Sequence, residues 1–275
     1  MTGFLLALRS SFGFLSTIPV GITMEGLDEF FKRTYLHILV GIVLGLIMGA
    51  VAYVLALFLS PQLSAIFIVI FVYYLTGLNH LDGIADLGDG LTAHGSREKK
   101  LKALKDMSLG IGGVAYAALI IIAFYATLTS LYGESIVLYS TTADVARIFF
   151  FAMFVAEVSA MQSMLTIAAF GKSIHEGLGS ILVNKTTVPK YLIGFVIGSI
   201  ACLGSSFYFG LGIVGIIPFI AAIAATLILL NVSNRHFGGV NGDVIGSSNE
   251  IGRIIALIAI YLVLKYNTGG LFWTL

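Results

Sequence analysis

Residues 38–59 read ILVGIVLGLIMGAVAYVLALFL, a stretch without a charged side chain that ends shortly before Pro61. A helix of about 20 mostly apolar residues is long enough to cross the hydrocarbon core of a bilayer, so this stretch predicts a transmembrane helix. The whole sequence has the same character. Of its 275 residues, 58% are hydrophobic and only 11% are charged, whereas a soluble domain carries about 25% charged residues. The composition excludes a disordered chain, a coiled coil and an ordinary soluble enzyme, and it predicts an all-α polytopic membrane protein.

Several other stretches are apolar enough to be membrane helices. They are residues 63–78, 110–131, 145–170, 191–233 and 254–264. The stretch 191–233 is too long for one crossing, and the turn signal Gly210-Leu211-Gly212 divides it into two helices. The last stretch is short, and it spans a membrane only if its helix begins near Ser247. The sequence therefore predicts about seven transmembrane helices, and residues 1–275 are expected to form a single integral membrane domain.

The N-terminal residues 4–20 are also apolar, but Arg9 interrupts them and Pro19 ends them. They lack the basic first region and the small-residue cleavage site of a signal peptide. We expect a helix that lies in the membrane interface instead of crossing the bilayer.

The basic residues indicate the orientation of the chain. Counting crossings places the segment before residue 38 and the stretches 79–109, 171–189 and 234–253 on one face. That face carries Lys32, Arg33, Arg97, Lys99, Lys100, Lys102, Lys105, Lys172, Lys185, Lys190, Arg235 and Arg253. The other face carries Arg147 and Lys265, and basic residues concentrate on the cytoplasmic side of a membrane. We therefore expect a multi-pass protein surrounded by the lipid of the cell membrane, with its long polar loops in the cytoplasm. The net charge of +1 provides no field that would attract nucleic acid.

The polar stretch 79–90, NHLDGIADLGDG, indicates chemistry. Its acids Asp82, Asp86 and Asp89 are spaced by four and three residues, which places them on one face of a helix. Three unpaired carboxylates on one face repel one another unless a cation neutralises them. Mg²⁺ takes oxygen ligands and is often shared with substrate phosphates. The sequence therefore predicts a Mg²⁺ site at these three acids, which Asp106 would close from the next helix.

The same acids have a simpler explanation, as a solvated loop whose carboxylates pair with the basic run of residues 97–105. We favour the metal because three acids recur at helical spacing against a membrane boundary, beside His80 and three glycines. The basic run itself fits a membrane anchor on the cytoplasmic side, and Lys105 within it is a candidate ligand for anionic phosphate.

A second polar stretch, residues 231–250, separates two apolar segments. A plain connection between helices needs only a few residues, so a polar connection of this length favours a binding role. Glycines in it would let backbone N–H groups approach a ligand closely. Its candidate binding residues are Asn234, Arg235, Gly239, Asn241, Gly242 and Glu250.

The two long polar stretches fall on the same face by the crossing count. We therefore expect Asp243 to share one cavity with the three acids of residues 79–90, with carboxylates on the order of 10 Å apart or closer, the scale of a metal–diphosphate unit. Glu250 would line the same cavity, although Arg253, one turn later, offers it an ion pair instead.

Charged residues also occur inside the predicted helices. Glu157 lies near the middle of its helix, where a carboxylate costs roughly 2.5–3.5 kcal/mol, so it must be protonated, paired or facing a wet cavity. We favour a functional role for it. Asp144 and Arg147 lie one turn apart near the start of the same helix, and we expect them to form a local ion pair.

Gly41, Gly45 and Gly49 recur every four residues on the first long helix. Such a stripe lets another helix approach closely. The sequence alone is compatible with packing of the stripe inside the monomer and with a contact face of a homo-oligomer.

Five motifs, in order along nearly the whole chain, point to one family. They are residues 14–20 (FLSTIPV), 80–90 (HLDGIADLGDG), 105–110 (KDMSLG), 176–179 (EGLG) and 238–250 (GGVNGDVIGSSNE). Together they resemble the cobalamin synthase family, the adenosylcobinamide-GDP ribazoletransferases. Two positions depart from the family's pattern. Asn79 stands where members often have an aromatic residue, and Ala160 stands where many have Arg, which leaves one expected phosphate contact unsupplied.

The resemblance implies a transferase of cobalamin biosynthesis that joins adenosylcobinamide-GDP to α-ribazole or its 5′-phosphate and releases GMP. It implies that Mg²⁺ held by the acids bridges the diphosphate. A general base must reach the ribose hydroxyl, with His80 as the first candidate and Asp243 as the second. The glycine-rich segments 177–179 and 238–246, including Gly177 and Gly179, would cradle the nucleotide or the corrinoid.

Two other functions compete with this interpretation. Residues 86–93 are similar to the start of the CDP-alcohol phosphotransferase motif of phospholipid synthesis, but His94 replaces the motif's Arg and the later acids do not match its spacing. A membrane transporter would use Glu157 to line a path, but the acids gather on one aqueous face and not at the midplane. Release of GMP from the corrinoid nucleotide would separate all three functions.

Overall fold

The computed structural model describes residues 3–106 and 108–266, and within these ranges the chain is a bundle of α-helices without a β-strand. The helices are α1 (Gly3–Leu15), α2 (Met24–Lys32), α3 (Leu36–Phe58), α4 (Pro61–Thr76), α5 (Asn79–Thr92), α6 (Arg97–Leu104), α7 (Ile111–Leu138), α8 (Thr142–Phe170), α9 (Leu178–Lys185), α10 (Val188–Tyr208), α11 (Ile216–Phe237) and α12 (Gly242–Tyr266). A 3₁₀ helix, Gly212–Gly215, precedes α11 at the turn that the sequence predicts.

Among the described residues, six helices are long and apolar enough to cross a membrane: α3, α7, α8, α10, α11 and α12. The pair α4 and α5 meets the same criteria jointly but is bent by 97° at a short break, which gives up to seven spans. The prediction of about seven transmembrane helices is confirmed. The last span is long enough because α12 begins at Gly242. The short apolar helix α1 is present at the N-terminus, as expected.

Helix α8 forms the centre of the bundle. Nearly all of its side chains are buried, because α3, α10, α11 and α12 pack around it. A helix that is apolar on all sides is one that other helices surround, which agrees with the even distribution of apolar residues in this sequence.

The glycine stripe of α3 packs inside the monomer, against α8. A Cβ added at Gly41 would lie 2.8 Å from Met161 Cγ, and one added at Gly49 would lie 2.8 Å from the Phe150 carbonyl oxygen. Gly45 faces the same helix. The small residues therefore allow the close approach of α3 to α8, and a homo-oligomer would need another surface.

A sharp bend separates α4 from α5. Gly77 lies at the break with a φ of 73°, a left-handed conformation that glycine adopts without steric cost. Thr17, after α1, closes the end of α4, because its backbone N–H donates to the Leu75 carbonyl and its hydroxyl to the Tyr74 carbonyl, each at 2.8 Å. Helix α5 then lies against α7 and α12. The polar helix thus begins where the apolar span ends.

The polar stretches are more helical than expected. Stretch 79–109 contains α5 and α6, and stretch 171–189 contains α9. The prediction of a long polar connection at 231–250 is wrong, because only residues 238–241 connect α11 to α12. Tertiary packing overrides the weak helix propensity of Asn, Ser and Gly, so most of these polar side chains lie on helix ends.

Candidate active site

Helix α5 presents its acids along one side, as the sequence predicts. Asp82 is exposed, and Asp86 and Asp89 are half-buried. The opposite side of the helix carries Ile84 and Leu87, which are buried in the bundle. The burial of the apolar side fixes the rotation of α5 and holds the acids at the polar end of the molecule.

Asp243, at the start of α12, joins these acids. A Cβ added at Gly83 would lie 2.7 Å from the Asp243 carbonyl oxygen and 3.2 Å from its Cα, so the two backbones are in contact. The carboxyl of Asp86 lies within electrostatic range of those of Asp243, Asp82 and Asp89. The structure therefore brings together two segments that are about 160 positions apart in the sequence.

The acids are not neutralised by the basic run. Within residues 3–106 and 108–266, none of Asp82, Asp86, Asp89 and Asp243 forms a salt bridge. Lys100 instead donates to the Leu91 carbonyl at 3.1 Å. The alternative of a loop with paired charges is not what the structure contains, and the four carboxylates form a concentrated negative site.

The donor chemistry of this site fits Mg²⁺, but the geometry is not a closed cage. No group of three or more His, Cys, Asp or Glu side chains in the described part of the chain is close enough to hold one ion. Mg²⁺ commonly binds through one or two carboxylates together with waters and substrate phosphates. Asp82 and Asp86 offer such oxygens, because neither side chain has a hydrogen-bond or ion-pair partner among the residues that the structure describes.

Asp89 is already engaged at the start of α7. Its Oδ2 accepts from the Gly110 N–H and its Oδ1 from the Gly113 N–H, both at 2.8 Å. The first N–H groups of a helix have no partner within the helix, and a carboxylate there is also favoured by the helix dipole. Asp89 therefore caps α7 at the edge of the acidic site.

Asp106 does not join the acids in this structure. It is exposed, and its carboxylate accepts from the backbone N–H and the hydroxyl of Ser108. These hydrogen bonds hold the pKa of Asp106 below its usual value. Lys105 beside it is exposed, and the next residue of their motif, Met107, lies outside the described residues. The prediction that Asp106 closes the metal site finds no support in these contacts.

His80 lies on the other side of α5 from the acids. It is only 8% exposed, with Gly246 of α12 against it and with Glu250 and Arg253 in electrostatic range. This placement argues against His80 as the base for a hydroxyl at the acidic side. Asp243 is the candidate that the geometry favours.

The start of α12 orients Asp243. Asn241 Nδ2 donates to Asp243 Oδ2 at 2.5 Å, and Asn241 Oδ1 accepts from the Val244 N–H at 3.1 Å. Asn241 is thus the capping residue of α12, and its side chain fixes the carboxylate of Asp243. Asn234 and Arg235 lie exposed on the last turn of α11, at the same end of the bundle.

The glycines of the predicted cradles mainly allow close packing. A Cβ added at Gly179 would lie 2.6 Å from Gly242 N, and one added at Gly239 would collide with the Lys172 carbonyl oxygen. Gly177, with a φ of 154°, precedes α9. Gly242 itself has open space at its Cβ position.

The segments before α9 and α12 are tied together by main-chain hydrogen bonds. The Ile174 N–H donates to the Val240 carbonyl at 3.0 Å, and the Val240 N–H donates to the Lys172 carbonyl at 2.8 Å. Together with the contact between Gly83 and Asp243, these hydrogen bonds bring three polar segments that are distant in sequence to one end of the bundle.

A cavity of about 290 Å³ opens beside this junction. Apolar side chains of α1, α2 and α9 line it, together with Asn79, His80, Gly179, Gly242 and Gly246. Sites for organic ligands are typically concave and mostly apolar with a few polar groups. The cavity therefore suits an apolar ligand group, but none of the four acids lines it, and it lies on the His80 side of α5.

Two expectations about charged residues are corrected by the structure. Arg253, counted on the cytoplasmic face, is fully buried and pairs with Glu157 and Glu250. Glu250, expected to line the acidic cavity, is fully buried in the same ion pair. The sequence offered one sign of this arrangement, the isolated charge of Glu157 in an apolar helix. The local pair of Arg147 with Asp144 is confirmed, at 3.0 Å.

The fold and the site together define a class: a multi-pass helical membrane protein with a group of carboxylates at one end that no salt bridge neutralises among the described residues. The family model described as cobalamin-5-phosphate synthase matches residues 7–261, and the chain belongs to that family.

Similar proteins agree over the full length. A protein of Methanococcoides burtonii named adenosylcobinamide-GDP ribazoletransferase is 54% identical, over 100% of this chain and 99% of its own. Proteins with the same name from Methanosarcina mazei and Methanosarcina barkeri are 50% and 47% identical, each over 100% of both chains. No solved structure matches the chain significantly.

Proposed function

We propose that this protein joins adenosylcobinamide-GDP to α-ribazole or its 5′-phosphate, with GMP as the second product, as a step of cobalamin biosynthesis. Membership of the cobalamin-5-phosphate synthase family and the shared name of its full-length relatives support this reaction. The observation that supports the location of the chemistry is the group of four carboxylates where α5 meets α12, none of which forms a salt bridge among the described residues.

The reaction is a phosphoryl transfer. The ribose hydroxyl of the ribazole attacks the phosphorus next to the corrinoid's aminopropanol arm, the bond from that phosphorus to the bridging oxygen of the diphosphate breaks, and GMP leaves with the bond's electron pair. The hydroxyl proton passes to a base. Asp243 is the candidate base, because Asn241 fixes its carboxylate at the site and a base must lie within hydrogen-bond reach of the hydroxyl.

Asp82 and Asp86 would hold Mg²⁺, which supplies positive charge to the diphosphate and to the leaving phosphate. Without a cation these carboxylates would repel a polyanionic substrate. The exposed basic side chains of α6 and Arg235, at the same end, would attract the nucleotide. Asp89 contributes by capping α7, which holds one wall of the site.

The acidic end would face the cytoplasm, in the cell membrane. The exposed basic residues Arg97, Lys99 and Lys102 of α6 lie at this end, and basic residues concentrate on the cytoplasmic side. The nucleotide substrate would then reach the site without crossing the bilayer.

The test uses the purified full-length protein in lipid nanodiscs with adenosylcobinamide-GDP and Mg²⁺. GMP should appear when α-ribazole or its 5′-phosphate is added, and the ratio of the two rates identifies the preferred acceptor. Asp82→Asn and Asp86→Asn should remove GMP release, whereas Asp28→Asn, an exposed acid of α2, should not. Release of CMP from a CDP-alcohol instead of GMP from the corrinoid would support the phospholipid enzyme and overturn the proposal.

A further inference from the structure

Glu157 on α8 and Glu250 and Arg253 on α12 are fully buried in the bundle. The guanidinium of Arg253 joins them: Nε and Nη2 donate to Glu157 Oε2 at 3.1 and 3.0 Å, and Nη1 donates to Glu250 Oε1 at 2.6 Å. Asn249 Oδ1 accepts from Nη2 at 2.6 Å, and the Tyr73 hydroxyl donates to Glu250 Oε2 at 3.1 Å. These five residues are called the buried network below.

The buried network connects the helices that form the site. Tyr73 is on α4, which leads directly into α5, and Glu157 is on the central helix α8. The other three members are on α12, whose first turn carries Asp243. Arg253 bonds to α8 and, through Glu250, to α4, so one side chain fixes α12 against two neighbours.

Stability alone does not account for the buried network. Removing two charges from water costs several kcal/mol per ion, and replacing a buried ion pair by apolar residues of similar volume is often neutral or stabilising. Here two carboxylates meet one guanidinium, and Glu157 Oε1 has no hydrogen-bond partner among the described residues. A bundle that needed only to be stable would be served as well by apolar side chains at these positions.

The buried network lies close to the acids along α12. Glu250 follows Asp243 by seven residues, or two helical turns, so both project from the same side of α12. Helix α5 packs closely on this part of α12, because a Cβ added at Gly246 would lie 3.4 Å from His80 Cα and Gly83 contacts the backbone of Asp243. A rotation or shift of α12 would therefore move Asp243 relative to α5.

We propose that Arg253 is a positioning residue that, through Glu157, Glu250 and Tyr73, holds α12 in the register that places Asp243 beside Asp82 and Asp86. The consequence for the transfer reaction rests on the proposed function, but the consequence for geometry does not. The experiment therefore measures both.

The central variant replaces all three charges by apolar residues of similar size: Glu157→Leu, Glu250→Leu and Arg253→Met together. Removing one partner alone would leave an uncompensated buried charge and cost about 3–5 kcal/mol, whereas the triple variant avoids that cost and is expected to fold. Arg253→Lys keeps the charge but loses the planar fork of donors. Phe219→Ala is the control, because Phe219 is fully buried against Gly198 and lies on α11, which carries no member of the buried network.

The geometric readout is cross-linking. Cysteines replace Asp82 and Asp243 in a Cys202→Ala background, and a short bifunctional thiol reagent is applied in nanodiscs. The pair should cross-link in the otherwise unchanged protein and with Phe219→Ala, but at least several-fold less in the triple variant. The kinetic readout uses the same network variants with both aspartates intact.

For the kinetics, displacement of a catalytic group by about 1 Å can cost on the order of 100-fold in rate. We expect the triple variant to lose about that factor in kcat with little change in KM, and Arg253→Lys to be intermediate. A folded triple variant with parental cross-linking or parental kcat would overturn the proposal. A triple variant that does not fold would also overturn it, because the buried network would then be needed for the fold itself. Absence of the cross-link in the otherwise unchanged protein would overturn it as well. If the parent protein forms no GMP, the proposed function fails, but the cross-link still tests whether the buried network positions Asp243 beside Asp82.

Discussion

Asp89 differs from the other acids of α5 because its carboxylate is used within the fold. Asp89→Ala removes both acceptors of the Gly110 and Gly113 N–H groups, each bonded at 2.8 Å. A hydrogen bond to a charged group contributes about 1.5–3 kcal/mol, and loss of a capping side chain costs about 0.5–2 kcal/mol. Because Gly113 is buried and water replaces its partner poorly, we expect a loss of about 2–4 kcal/mol. Asp89→Asn keeps one acceptor and should lose about half of this.

Cys202 provides the assay, because it is the only cysteine of the chain and is fully buried. A maleimide dye that fluoresces on reaction with a thiol then reports unfolding in nanodiscs. At about 2–4 °C per kcal/mol for a chain of this size, Asp89→Ala should lower the midpoint by roughly 5–15 °C. Asp28→Asn is the matched control, and its unfolding midpoint should equal that of the parent protein. Equal midpoints for Asp89→Ala and the parent would refute the capping role.

Three further predictions concern the acids, the close-packed glycines and the orientation. Asp82→Asn and Asp86→Asn should each reduce GMP release at least about 100-fold. Neither should lower the melting midpoint, because these carboxylates repel their neighbours in the free protein. A variant with near-parental turnover at limiting Mg²⁺ would show that the replaced acid does not hold the metal. Gly179→Ala and Gly239→Ala should lower both midpoint and turnover, because the added Cβ meets the backbone of Gly242 or of Lys172. Gly133→Ala, with nothing within 4 Å of the added Cβ, should melt at or above the parent, and a Gly179→Ala protein that melts in the same way would contradict the close contact. Ser96→Cys in a Cys202→Ala background should react with impermeant reagents only from the cytoplasm, and labelling in intact cells would contradict the orientation.

The membrane helices and the acidic face could be predicted from local patterns. Residues 38–59 contain enough apolar side chains to cross the bilayer, and α3 covers them almost completely. The spacing of Asp82, Asp86 and Asp89 needs only the geometry of one helix. These features depend on residues that are neighbours in sequence, which is why they follow from it.

The position of His80 could also have been derived from spacing. A residue two positions before Asp82 lies about 200° around an α-helix from it, so His80 and the acids cannot face the same space on a regular helix. The structure shows His80 against α12.

Arg253 and Asp89 could not be assigned in the same way, because their partners are distant in sequence. Glu157 precedes Arg253 by 96 positions, and the donors to Asp89 lie on the helix after next. The Gly, Ser and Asn residues before Arg253 predict a loop at 234–253 that would include it. Only the packing of α12 against α5 and α8 makes that segment helical and buries its charges.

The separation of the two groups of charges follows from what each must do. Acids that hold a cation at a diphosphate, as proposed for Asp82 and Asp86, must stay free of local cations, because a salt bridge would occupy the same oxygens. In water the acids repel one another, and ion pairs between exposed charges would hold them only weakly, because exposed charges are screened over about 10 Å. Charges inside the bundle interact much more strongly, because the effective dielectric constant is low there. A helix is stiff, and Asp243 and Arg253 lie ten residues apart on α12, about 15 Å along its axis. Anchoring α12 through Arg253 therefore fixes Asp243 from a distance and leaves its carboxylate free for substrate.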